Sequence, residues 1–242
     1  MDELAKGIEA EAKLAQLLGE GTLSVEELTT RAIQRAENVK AYEAEQEAFR
    51  DKQERLRAKA LRGSAVRAIE GIPVARELVD AIVDNALDRT TPALSAARTW
   101  LEERRAKRAK PILVLLSGIG VGKTVAAAWL AAQTGGAYVK MRDFAHLYRA
   151  GFGEDAARFQ ELLSAKLLII DELTTERDVD LGRAALHEVV DERGSKDRGL
   201  VLIANRTRQE IAERYDARTI DRLRENATAI DLPGKSMRKG AW

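Results

Sequence analysis

Residues 113–130 read LVLLSGIGVGKTVAAAWL. The apolar run Ile112–Leu116 gives way to a turn with glycines at 118, 120 and 122, and Lys123-Thr124 then opens an alanine-rich stretch. A strand covered on both faces reads as an unbroken hydrophobic run rather than an alternating one. A strand that feeds a glycine-rich turn into a helix gathers backbone N–H groups and a helix N-terminus at one point, a concave ring of donors suited to a phosphate chain. The predicted cradle is Ser117, Gly118, Gly120, Val121, Gly122, Lys123, Thr124 and Val125. Lys123 would reach the β- and γ-phosphates, and the Thr124 hydroxyl would ligate Mg²⁺. The strict spacing G-x-x-x-x-G-K-[ST] has glycine where this chain has Ser117, so the loop must close around a small hydroxyl side chain instead.

Outward from this stretch the same alternation recurs. AYVKM (137–141), KLLIIDE (166–172), GLVLIAN (199–205) and ATAIDL (227–232) read as strands. Helical patterns are expected over 74–88, 92–108, 123–133, 142–151, 154–165, 178–194 and 207–225. Apolar strands separated by helices predict an α/β fold with a five-stranded parallel P-loop sheet and helices on both faces. Residues 1–62 differ: they are rich in Ala, Glu, Arg, Lys and Gln, and Ser24 with Glu27 forms a capping-box pattern. These residues predict a small all-helical N-terminal domain. The stretch 63–75, with Gly63, Ser64, Gly71 and Pro73, reads as a linker, and 76–242 as the nucleotide-binding domain.

Composition narrows the chemistry. The 242 residues are 45% hydrophobic and 33% charged, which fits a sizeable core under a charged surface. There is no cysteine, which excludes disulfides, and with only His146 and His187 a histidine-built metal centre is not expected. The acidic start MDELAKGIEAEAKL lacks a signal-type apolar run, so a cytosolic protein is expected. The net charge of +1 hides local imbalance: residues 1–62 carry 13 acidic and 11 basic side chains, net −2, whereas 89–110 carry seven basic groups against Glu102 and Glu103.

Two further motifs bear on the cradle. LLIIDEL puts Asp171 and Glu172 at the carboxyl end of a strand, where open α/β sheets bind ligands. Asp171 would support Mg²⁺, and Glu172 would polarise an attacking water. Asn205 closes the next strand, where an amide can orient that water or cap the helix that follows.

With these motifs the chain resembles an AAA+ ATPase of the DnaC/DnaI-type helicase-loader and IstB-like group over residues 62–240. The tail AERYDARTIDRLRENATAIDLPGKSMRK carries the most specific part: Arg222 in Asp-Arg-Leu, then a short strand, then Ser236-Met237-Arg238. The resemblance implies ATP and Mg²⁺ as ligands and no separate lid domain. It makes Arg222 an arginine finger inserted into a neighbour's nucleotide, with Arg214, Arg218 and Arg224 as alternatives, and Arg238 a γ-phosphate sensor. Such head-to-tail contacts make rings or spirals.

The segment 140–159 mixes cations and aromatics, and Arg142, Arg149, Phe144 and Tyr148 are the predicted contacts to single-stranded DNA, although Phe144 and Tyr148 also have core spacing. Within the resembled group the N-terminal region of a loader grips a DnaB-type replicative helicase. The resemblance therefore implies a helicase loader docking through residues 1–62, releasing on hydrolysis. An IstB-like transposition helper on duplex DNA, a nucleotide-dependent interaction protein without turnover, and a protein remodeller that binds no DNA remain the alternatives.

Overall fold

Three apolar runs form the central strands, and each sends alternate side chains to two separate cores. From β1 (Ile112–Leu116), Leu113 and Leu115 enter one core while Ile112, Val114 and Leu116 enter the other. β3 (Leu167–Asp171) and β4 (Gly199–Ala204) divide in the same way. With β2 (Ala137–Lys140) and β5 (Ala227–Asp231) they make one sheet in the order β2-β3-β4-β1-β5. Every pairing is parallel. This is the predicted α/β sheet, buried on both faces in its three central strands.

The computed structural model describes residues 2–17, 19, 23–88 and 90–233, so Ser236 and Arg238 lie outside the described residues. Two units separate, Met1–Ala60 and Leu61–Trp242. The first is helical: α1 (Asp2–Leu17) and the start of α2 (Val25–Ile69). The capping box forms as read, with Ser24 N–H donating to Glu27 Oε2 (2.9 Å) and Glu27 N–H to Ser24 Oγ (3.3 Å). No helix among the described residues is long and apolar enough to cross a membrane.

In the second unit the helices are α3 (Val79–Val83), α4 (Pro92–Arg105), α5 (Lys123–Thr134), α6 (Met141–Arg149), α7 (Gly153–Ser164), α8 (Val179–Ser195), α9 (Arg208–Arg214) and α10 (Ala217–Asn226). Two expectations fail here. The linker read over 63–75 is helical as far as Ile69, because Ala65 and Ile69 are buried in the core beside Ile82 and Trp129, which outweighs the ~1 kcal/mol cost of Gly63 in a helix. The helix read over 74–88 shrinks to a 3₁₀ turn at Arg76–Leu78 and the five residues of α3. Asn85 ends it in the left-handed region (φ 55°), where its side chain accepts a hydrogen bond from Trp129 Nε1 (2.7 Å) and the next N–H reaches back to Ala81 O.

One buried cation ties the end of α7 to the start of β4. Arg193 on α8 is fully buried, and its guanidinium donates to the carbonyls of Leu163 (2.8 Å), Ala165 (2.8 Å) and Gly199 (2.6 Å). These are the C-terminal end of α7 and the start of β4, so the helix dipole stands in for a carboxylate. Burial, aided by nearby Arg198, pushes its pKa down to about 10.

Candidate nucleotide site

Order and polarity of the strands fix where the site lies. β1 and β4 are neighbours, β3 lies beside β4, and all run the same way, so their carboxyl ends bring Ser117, Asn205 and Asp171 to one edge of the sheet. A cleft of about 600 Å³ opens there. The predicted residues Gly120, Val121, Gly122, Lys123, Thr124, Val125, Asp171, Glu172 and Asn205 all line it.

The loop from Ser117 to Gly122 is built as the glycines demand, at two of the three positions. Gly120 (φ 87°) and Gly122 (φ 88°) are left-handed, and a Cβ on Gly122 would lie 2.8 Å from Oγ1 of Thr91. Gly118 faces open space and needs no glycine for its geometry. Thr91 cannot retreat, because its Oγ1 caps α4 by accepting from Leu94 N–H (3.0 Å).

Lys123 is 7% exposed, and its ammonium donates to Ser117 Oγ (2.5 Å), Gly118 O (2.8 Å) and Ser117 O (3.3 Å). The departure at Ser117 is thereby absorbed: its hydroxyl supplies one of the three oxygens that hold the lysine. Burial lowers the Lys123 pKa, opposed by the charge of Asp171. An ammonium ringed by oxygens at a helix start fits the anionic end of a nucleotide.

Asp171 is buried at the end of β3. It accepts from the Glu172 N–H (2.6 Å) and from Tyr138 Oη (3.0 Å), and burial raises its pKa above the ordinary carboxylate range despite those bonds. A hard divalent cation held between this carboxylate, the Thr124 hydroxyl and substrate phosphates would relieve that cost, so the donor set fits Mg²⁺.

Glu172 sits at φ 58° and Thr174 at φ 76°, a strained stretch for residues that carry a Cβ. The surroundings impose it. Leu173 N–H donates to Ile203 O (2.9 Å), Thr174 N–H to Tyr215 Oη (3.2 Å), and Arg206 Nε to Thr174 Oγ1 (3.2 Å). Behind the loop, Glu176 is buried over Gly182, where a Cβ would fall 2.2 Å from its Cγ. Its Oε1 accepts from Arg214 (3.1 Å) and from Tyr215 Oη (3.4 Å), while Oε2 has no partner among the described residues.

Sequence reasoning missed three things here. Lys140 ends β2 in register with Asp171, and its ammonium pairs with Glu172 Oε1 at 2.9 Å. Tyr138 on the same strand holds Asp171. Pro73, Val74 and Leu78, from the stretch read as linker and helix, line the cleft together with Ile119 and Val125. A lysine at the end of a strand carries no signal of its own until β2 is known to lie beside β3.

Among the described residues, the remaining predicted ones do not line the cleft. Arg222 on α10 pairs with Asp191 (3.1 Å) and Glu225 (3.1 Å) and does not line the cleft of its own chain. Among its alternatives, Arg214 is committed to Glu176, while Arg218 and Arg224 are exposed. On α6, Arg142 and Arg149 are exposed. Phe144 is fully buried against Phe159 (centroids 5.3 Å apart), and Tyr148 packs edge-on to the same ring (5.7 Å). Those two rings belong to the core, as their four-residue spacing allowed, and Phe144 offers no face to a base. Just beyond α6, Phe152 is 92% exposed between Gly151 and Gly153.

No protein-family model matches the chain, and no curated protein sequence matches it. Solved structures do. DnaI matches at a TM-score of 0.52 and 19% identity, over 67% of this chain and 96% of that one. The DnaC helicase loader matches at 0.52 and 19%, over 66% and 100%. The chain has the AAA+ fold. Domain III of the replication initiation protein DnaA from Thermotoga maritima also aligns, at a TM-score of 0.50 and 17% identity, over 66% of this chain and 69% of that one. At these identities the likeness is one of fold, and the site rests on the geometry above.

Proposed function

We propose that this chain is an ATP-hydrolysing loader of a replicative DNA helicase. The observation that carries the reading is Lys123, buried and ringed by loop oxygens at a helix start, facing Asp171 and Glu172 across a cleft at the carboxyl edge of the sheet. ATP lies with its phosphates on the loop Ser117–Thr124 and its base against the apolar wall of Pro73, Val74 and Leu78. Lys123 leaves the carbonyl of Gly118 for the β- and γ-phosphate oxygens. Thr124 and Asp171 would hold Mg²⁺, which when bound would supply positive charge to the phosphate chain. Glu172 takes a proton from water, whose oxygen bonds to the γ-phosphorus as the bond to the β–γ bridging oxygen breaks, and Asn205 orients that water. Arg222 of one protomer completes the site of the next, which ties turnover to head-to-tail assembly, with Arg238 as a sensor of the γ-phosphate.

The fold shared with the DnaC helicase loader supports the partner assignment, a DnaB-type helicase docked through residues 1–62. Single-stranded DNA lies over Arg142, Arg149 and Phe152, with the exposed ring stacking on a base. Phosphate release by wild type and Glu172→Gln, with and without single-stranded DNA, tests the enzyme. A fall of about 10²-fold or more is expected, and equal rates would remove the reading. Phe152→Ala should weaken single-stranded DNA binding about tenfold, within the ~1–3 kcal/mol of one stacked base. Co-purification of the full chain with a hexameric helicase supports the loader, whereas capture of a transposase on duplex DNA would replace it with the IstB-like reading.

A further inference from the structure

Helix α2 carries a seven-residue repeat that the nucleotide cleft does not use. Its a positions are Ala32, Val39, Gln46, Gln53 and Ala60, and its d positions are Arg35, Tyr42, Phe49 and Leu56. The seam is covered where it begins. Gly7 of α1 packs on Ala32, and Glu11 of α1, itself buried, pairs with Arg35 at 2.6 Å. From Val39 onward the same line is bare: Val39 is 50% exposed, Tyr42 63%, Phe49 58% and Leu56 59%. A helix this polar gains little stability alone, and an a/d line of this spacing is what a second helix covers.

The flanking charges say which helix. The e positions read Glu43, Arg50, Arg57 and the g positions Glu45, Lys52, Lys59, acidic first and basic after. We propose that a second copy of this chain covers the seam, with its α2 antiparallel. Val39 then lies against Leu56 of the copy, Tyr42 against Gln53, and Gln46 against Phe49. In that register Glu43 faces Arg50 and Glu45 faces Lys52, each pair occurs twice by the two-fold axis, and no like charges meet. A parallel pair would set Glu45 against Arg50 but Lys52 against Arg57, and would stack each glutamine on itself. Electrostatics therefore selects the antiparallel arrangement. The proposal rests on the N-terminal unit alone and holds whether or not the cleft hydrolyses ATP.

Light scattering on the full chain without nucleotide tests it. The expected mass is twice 26.7 kDa. Phe49→Glu, at an exposed position, should give a single chain while leaving nucleotide-dependent assembly intact. Glu43→Arg with Glu45→Lys should raise the dissociation constant at least tenfold, and adding Arg50→Glu with Lys52→Glu should restore it. The absence of cysteine lets Ala44→Cys and Ala58→Cys carry spin labels on the outer face of α2. Antiparallel pairing separates the labels along the axis by about 10 Å at position 44 and about 30 Å at position 58, at 1.5 Å per residue. Equal separations at both positions, a monomer at the highest attainable concentration, or a Phe49→Glu variant of unchanged mass would each overturn the proposal.

Discussion

Replacing Lys140 with methionine should speed the hydrolysis of ATP by the free chain. The Lys140 ammonium holds Glu172 Oε1 at 2.9 Å, so the carboxylate assigned to the attacking water is engaged elsewhere. The size of the effect follows from exposure. The two side chains are 33% and 38% exposed, so water screens the pair, and such a bridge is worth about 0.5–1 kcal/mol. Released to the reaction, that is about a two- to fivefold rise in rate, at 1.36 kcal/mol per tenfold. Phosphate release at saturating ATP, without DNA, measures it. Salt gives a second readout. The wild-type rate should climb towards that of Lys140→Met as ionic strength shortens the screening length, while the variant stays flat. A tenfold fall in Lys140→Met would refute the reasoning, because it would mean that the ammonium stabilises charge in the transition state. Identical rates would show that Glu172 is not restrained by the pair.

Two other substitutions probe different terms. Arg193→Met leaves the carbonyls of Leu163, Ala165 and Gly199 without their donor, at the lower end of about 1–3 kcal/mol for each, so about 3–5 kcal/mol in all. Thermal unfolding should show this as a Tm lower by about 6–20 °C for a unit of this size, with nucleotide binding intact in the cold, and a loss below about 1 kcal/mol would mean that water replaces the guanidinium. Asp171→Asn should act in the opposite sense on the nucleotide-free chain. Burial raises the Asp171 pKa, so its contribution to stability is full below the ordinary carboxylate range and is lost as pH rises through the raised value. The variant should therefore gain Tm over wild type at pH 7 but not at pH 4, and should lose the extra stabilisation by Mg²⁺ and ATP; an equal or lower Tm at pH 7 would contradict this.

Local chemistry is what the sequence carried well. The turn at Gly120 and Gly122 needs left-handed backbone whatever surrounds it, and strands buried on both faces must be apolar runs, so β1, β3 and β4 were legible. What depended on distant neighbours was not. Gly63 and Ser64 look like breaks until Ala65 and Ile69 find the core. The early end of α3 comes from Asn85 meeting Trp129, 44 residues away. Lys140 could be found only by knowing that β2 lies beside β3 in register with Asp171. Phe144 and Phe152 are both aromatics near basic residues, and only packing separates the ring in the core from the ring in water.

The bonds that tie Thr174 to Tyr215 and Arg206 have a mechanical consequence. The backbone that carries Glu172 is moored to the α9 end of the arm from Arg206 to Asn226, and Arg222 rides at the other end of that arm. If Arg222 reaches a neighbour's nucleotide as proposed, a pull on the arm would reach a left-handed stretch only two residues from the carboxylate. Communication between adjacent nucleotides would then need no wire through the core, because one side of the doorway is hinged to the other.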